Sequence, residues 1–302
     1  MELLLTHGYF LAEDPVEQRI MKPYVPLGIL SISTYLSQKG FSVQLFDSTF
    51  QSIDAFGEYI RKHKPAVIGI YVNMMTKFSA LKMIAIARAC GATVIVGGPE
   101  PASYAEEFIG HGAEIVVIGE GEITLEEILQ QNRTGSSDYF AIDGIVFRKD
   151  AKIVRTKPRA FISDLDRLPV PDRSRIDMTP YLDAWRKQHR RTSLSLISMR
   201  GCPYTCAWCS HGVYGESHRR RSPKVIADEI EMLQTEFHPD LFWFADDVFT
   251  INHTWLFEFE KELRARNINI HYECITRADR MNERVVSALK NTGCERLWIG
   301  SE

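Results

Sequence analysis

Cys202, Cys206 and Cys209 offer three thiols from eight consecutive residues, Cys-Pro-Tyr-Thr-Cys-Ala-Trp-Cys. That is one ligand short of the four that close a structural zinc site or a fully protein-ligated iron–sulfur cluster. Three cysteines on one loop can wrap a cube of iron and sulfide and leave one iron open to a small chelating ligand. A zinc site completed by His211 or His218 is the alternative. The Cys-x3-Cys-x2-Cys spacing departs from the paired Cys-x2-Cys of zinc modules and favours the cluster.

The elements around the triplet would place it where chemistry is done. A strand-like run at 194–198 leads into the cysteine loop, and Ser222-Pro223 opens a helix with Val225, Ile226, Ile230, Leu233 and Phe237 on one face. Strands are expected at 241–245, 268–276 and 295–300, with helices at 255–266 and 282–291. Strand starts that recur at the length of one βα unit predict a barrel-like succession, with the cysteines at the carboxyl end of a strand. Four such units fall short of a barrel, so the sequence suggests a piece of a longer chain.

Two further strand ends carry candidate groups. Asp246 and Asp247 follow Ala245, and a carboxylate there could hold an ammonium group. Asp246 is preferred as the nearer to the strand, against a helix cap or a solvated turn. Arg277 could fork onto a carboxylate, or form a surface pair with Asp279.

The amino-terminal part reads differently. Apolar, β-branched runs at 2–6, 43–47, 66–71, 93–97 and 114–118 alternate with helical patterns, of which the stretch from Pro26 to Gly40 is the clearest. Strands apolar almost throughout predict a doubly wound parallel sheet covered on both faces, with its ligand at the carboxyl ends. Gly97, Gly98, Gly119 and Gly121 stand at two of those ends, where they would let the backbone approach a bulky ligand or simply make turns. Residues 144–155 read as a β-hairpin, and 164–180 as an extended linker. The expected division is residues 1–133, a hairpin and linker at 134–190, and 191–302.

With a net charge of -3 over 302 residues, nothing suggests a nucleic-acid surface. No apolar run approaches the roughly 18 residues of a membrane span. Six cysteines, three clustered and three scattered at Cys90, Cys274 and Cys294, do not form a disulfide framework and suit a reducing cytoplasm. The run Arg219-Arg-Arg221 is expected to be a solvated face, with an anion contact as the lesser alternative.

The segment 202–209, including the aromatic Trp208 before the last cysteine, resembles the radical S-adenosylmethionine (SAM) enzymes. The resemblance implies a [4Fe-4S] cluster whose open iron binds the amino and carboxylate groups of SAM. Its reductive cleavage gives methionine and a 5'-deoxyadenosyl radical. It also implies SAM contacts from Trp208, Asp246 and Arg277, and from Ser301 and Glu302, whose Trp-Ile-Gly-Ser-Glu is similar to the family's Gly-x-Glu-Ser-Gly.

Pro26-Leu-Gly-Ile-Leu, Val43-Gln-Leu-Phe-Asp47, Val96-Gly-Gly-Pro99 and Val117-Ile-Gly-Glu-Gly-Glu122 resemble the cobalamin-binding domain found in part of that family, of flavodoxin-like or Rossmann-like fold. Asp164-Leu-Asp-Arg-Leu-Pro169 is similar to its connector. The resemblance implies cobalamin contacts from Tyr71, Asn73, Gly97, Gly98, Gly119, Glu120 and Gly121. Met74 would face the corrin or pack in the core. His7 lacks the Asp-x-His-x-x-Gly setting of cobalt-ligating histidines and is read as an ordinary strand-end residue.

The implied fold is thus a doubly wound α/β sheet followed by an incomplete radical SAM (β/α) barrel. The implied activity is methylation of an unactivated carbon with cobalamin as methyl carrier, on a small-molecule or natural-product substrate. A reducing donor such as flavodoxin or ferredoxin would serve it. The alternatives are ring closure without methyl transfer, as in anaerobic magnesium-protoporphyrin ester cyclisation, or a non-catalytic metal- or cobalamin-binding module. A methylthiotransferase would carry more amino-terminal cysteines than Cys90 alone.

Overall fold

The computed structural model describes residues 1–207, 209–210 and 212–300. Two sheets organise them. The first contains β1 (Leu3–His7), β2 (Val43–Phe46), β3 (Val67–Tyr71), β4 (Thr93–Gly97), β5 (Ile115–Val117), β6 (Ile145–Lys149) and β7 (Lys152–Arg155), in the order β2-β1-β3-β4-β5-β6-β7. The first five strands are parallel, and the 2-1-3-4-5 order is that of a flavodoxin-like sheet. Every residue of β1 is buried, because helices cover both faces of this central strand.

The hairpin β6–β7 extends the first sheet: β6 runs antiparallel to β5, with Val116 opposite Val146. The second sheet is formed by β8 (Ser193–Leu196), β11 (Leu241–Phe244), β12 (Tyr272–Arg277) and β13 (Cys294–Gly300), all parallel and in sequence order. This is the βα succession expected of a barrel wall. Between β8 and β11, the two-residue strands β9 (Met199–Arg200) and β10 (Arg219–Arg220) pair antiparallel. They pinch the base of the cysteine loop, residues 201–218.

Helix starts follow local capping chemistry. Ser52 accepts from the Ala55 amide at 3.1 Å and Ser222 from Val225 at 3.3 Å, each supplying an otherwise unpaired helix amide with an acceptor. The helix Leu27–Gln38 packs two ways. Ile29 and Leu36 join the core of the first sheet, whereas Leu27 and Leu30 join that of the second. One helix therefore seals both domains.

The expected extended linker contains an eleven-residue helix, Thr179–His189. Pro180 opens this helix instead of marking irregular chain, because proline is compatible with the first helical turn, where its missing N–H removes no hydrogen bond. Tyr181 and Trp185, four apart, are the buried stripe that holds it.

Candidate functional site

The carboxyl ends of both sheets open into one cavity of about 650 Å³. Tyr71, Gly97, Gly98, Gly119 and Gly121 line it from the first sheet. Cys202, Cys206 and Cys209 line it from the cysteine loop, and Asp247, Ile275 and Arg277 from the second sheet. Pockets of this volume commonly enclose small ligands.

The glycines give the first-sheet wall its shape. Gly98 has φ +114°, and a Cβ there would stand 2.4 Å from the Val72 carbonyl oxygen and 3.0 Å from the Tyr71 ring. Only glycine fits. Gly119, at φ +85°, follows β5 and lies beneath Val213 of the cysteine loop, whose carbonyl would be 3.7 Å from an added Cβ. Bare backbone thus forms the floor on which a bulky ligand tail could rest.

On the opposite wall, the Cys209 amide donates to the Cys206 carbonyl at 3.0 Å, turning the last two cysteines of the triplet. Arg277 Nη1 lies 3.4 Å from Cys206 Sγ, and its guanidinium stacks over Tyr204 at 4.1 Å. The same guanidinium holds Asp279 through Nε at 2.9 Å and Nη2 at 3.2 Å, so the ion pair and the site contact coexist. Burial raises the Cys202 thiol pKa, and Asp247 and the neighbouring cysteines push it the same way. Cys209 is raised by burial, Asp247 and Cys206. A cationic centre is what would convert such thiols to thiolates.

Three cysteines around an open cavity suit a cluster with one unfilled position. Among the described residues, no three His, Cys, Asp or Glu side chains are gathered as a single-ion site. Of the two histidines that could complete a zinc site, His218 is not on the cavity wall and His211 lies outside the described residues.

The adjacent aspartates exchange their expected places. Asp246 is 1% exposed and accepts from the Ser198 amide at 2.7 Å, the Met199 amide at 3.2 Å, the Ser198 hydroxyl, and Arg220 at 3.2 Å. These bonds tie the end of β11 to the base of the cysteine loop and leave Asp246 off the cavity. Asp247 faces it instead. Burial raises the Asp246 pKa despite those partners, and burial lowers Arg220 to about 10 against the pull of Asp246.

Glu120 and Asn73 are also otherwise employed. Glu120 touches the cavity edge, but its carboxylate accepts from Arg200 at 2.7 Å, Arg219 at 2.8 Å and the Ile162 amide at 2.8 Å. Asn73 caps the 3-10 turn Met74–Thr76, accepting from the Thr76 amide at 3.1 Å and donating its own amide to Thr76 Oγ1 at 3.0 Å. Met74 is exposed. Nor is the arginine run a solvated face: Arg219 pairs with Glu120, Arg220 with Asp246, and Arg221 donates to the Pro169 carbonyl at 2.9 Å.

His7 is buried with both ring nitrogens engaged, Nε2 with Asp47 at 3.0 Å and Nδ1 accepting from the Tyr9 amide at 3.2 Å. Trp208, Ser301, Glu302 and His211 lie outside the described residues. Sequence reasoning missed Tyr214 and Ser31 on the cavity wall. Tyr214, its pKa pushed up to about 12 chiefly by burial, carried no spacing signal. Ser31 sits four residues after Leu27 on the helix that faces both sheets, which is the signal that could have found it.

Two family profiles match the chain, the B12 binding domain over residues 19–129 and the Radical SAM superfamily over residues 196–302. The anaerobic magnesium-protoporphyrin IX monomethyl ester cyclase of Synechocystis is 29% identical over 298 residues, which takes in 95% of this chain and 58% of that protein. An uncharacterised methyltransferase of Pyrococcus horikoshii is 25% identical over 285 residues, 92% of this chain and 60% of the relative. The cobalamin-dependent SAM radical enzyme OxsB, solved with aqua-cobalamin and SAM, superposes with a TM-score of 0.82 at 19% identity, covering 99% of this chain and 44% of its own. That likeness establishes the shared fold. The chain spans less than two thirds of the length of each of these proteins.

Proposed function

From a chain that joins a B12-binding domain to a radical SAM domain, we propose a cobalamin-dependent radical SAM methyltransferase acting on an unactivated carbon of a small molecule. The observation that carries this reading is the shared cavity, since the glycine loops of the first sheet and the cysteine loop of the second open into one space. When bound, the cluster would supply the electron that cleaves SAM and cobalamin the methyl group.

The chain's own residues bind and orient. Cys202, Cys206 and Cys209 would hold three irons of the cluster. Asp247 and Arg277 line the cavity at adjacent strand ends, where Asp247 would hold the SAM ammonium and Arg277 its carboxylate. Gly97, Gly98, Gly119 and Gly121 admit the cobalamin tail, and Tyr71 and Tyr214 narrow the space that water could enter. Residues 1–133 form the cobalamin unit in this reading, 134–190 the hairpin and connector, and 191–302 the radical SAM portion. A flavodoxin- or ferredoxin-like reductant in the cytoplasm completes the system.

The test is anaerobic reconstitution with iron and sulfide, followed by hydroxocobalamin, SAM and a strong reductant. Broad violet-blue absorption, retained cobalamin and release of 5'-deoxyadenosine are expected. A chain that takes up only zinc would sink the reading. The 29% identity to a cyclase keeps one alternative, ring closure by the same machinery. A product heavier than its substrate by one methylene separates methyl transfer from it.

A further inference from the structure

The cysteine loop is fastened at its base to the other domain. β9 and β10 bracket residues 201–218, and their register sets Arg200 directly opposite Arg219. Both guanidiniums reach one carboxylate, Glu120, at the start of the helix Gly121–Arg133 that follows β5. Arg200 takes Glu120 at 2.7 Å and Glu122 at 2.5 Å, and all four side chains are largely buried. Further along the loop, Gly212 lies against Pro99, where an added Cβ would come within 3.2 Å of the proline ring. The loop is therefore held to the first domain at its base and along its second half.

We infer that Glu120 is the positioning residue of the cysteine loop, fixing the loop that presents Cys202, Cys206 and Cys209 against the glycine floor of the first domain. Two arginines from opposite ends of the loop share this carboxylate, so its charge closes the loop base and sets its height above β5 in one interaction. A buried guanidinium deprived of its partner is costly, whereas a surface pair is nearly neutral, so the geometry predicts a strong effect from one atom change. Glu122, which meets Arg200 alone, has the lesser share. The consequence for cofactor spacing rests on the function proposed above, but the fastening itself does not.

The test uses the metal-free chain. Cys90 is exposed at the end of a first-domain helix and serves as an internal reference for N-ethylmaleimide labelling. Glu120→Gln is expected to raise the labelling rate of the three loop cysteines relative to Cys90 on the order of tenfold, as local opening would. Amide exchange should quicken across 201–218 and stay unchanged in β1, β3 and β4. Glu120→Asp, which keeps the charge, should recover part of the protection, and Glu122→Gln should give a smaller increase. Unchanged labelling and exchange in Glu120→Gln would overturn the inference, as would a larger effect from Glu122→Gln or loosening spread evenly over the first sheet.

A second arm adds hydroxocobalamin. In the wild type it should slow exchange in 201–218, and in Glu120→Gln that slowing should be lost. Failure of the wild type to retain cobalamin would count against the proposed function, while the metal-free labelling would still decide the role of Glu120.

Discussion

At the scale of single residues, the aspartate pair shows how a strand end sorts chemistry from architecture. Past the end of β11, Asp246 is buried while its neighbour Asp247 is exposed on the cavity. Proximity to the strand favoured Asp246 from sequence. Nothing in the local sequence shows that Ser198 and Arg220 will converge on it, because both partners are distant in the chain. Asp246→Ala should therefore behave as a stability variant, costing about 3–5 kcal/mol in denaturant unfolding because Arg220 is left buried and unpaired. Asp247→Asn should instead weaken SAM binding to the reconstituted protein roughly tenfold. The reverse pattern would return the site to Asp246. The glycines were legible for the opposite reason: a need for positive φ or close approach is written in the residue type itself, as Gly98 shows.

At the scale of elements, most strands and long helices were readable because their apolar periods report local burial. The helix Thr179–His189 was not, because only Tyr181 and Trp185 mark it and both are buried by partners remote in sequence. Tyr181 donates to Asp47 at 2.8 Å, beyond the end of β2, so this helix is fastened to the first domain by a hydrogen bond to a carboxylate. Tyr181→Phe should cost about 1.5–3 kcal/mol, the usual range for a hydrogen bond to a charged group. Burial pushes the Asp47 carboxyl up, but His7, the Thr49 amide and the Tyr181 hydroxyl together pull it below its usual pKa. A folded pKa below the unfolded value of about 3.9 stabilises fully above that value and fades as pH falls through the folded pKa. The gap in unfolding free energy between wild type and Asp47→Asn should thus be steady near neutrality and close below about pH 4. A gap that persisted into stronger acid would show that the carboxylate charge is not what Asp47 contributes.

At the scale of the whole molecule, the sequence indicated two domains and their chemistries but not how they face each other. That orientation depends on side-chain partnerships between distant segments: Glu120 with Arg200 and Arg219, Asp47 with Tyr181, and the helix Leu27–Gln38 that contributes to both cores. Such ties should make the halves unfold together, and the chain carries its own reporter of this. Among the described residues the tryptophans, Trp185, Trp243, Trp255 and Trp298, lie outside the first sheet and the helices that cover it. Trp255 is buried in the core of the second sheet, stacked 5.1 Å from Phe259, so its emission follows that core alone. A ligand of the native state stabilises by about 2.7 kcal/mol at one hundred times its dissociation constant. Saturating hydroxocobalamin, bound at the proposed glycine floor of the first sheet, should therefore shift the tryptophan-reported denaturation midpoint upward by an amount that matches this linkage. If the two domains were only tethered, amide exchange in β1 and β3 would slow with cobalamin while the tryptophan midpoint stayed where it was, and the shared cavity would lose its meaning as a single site.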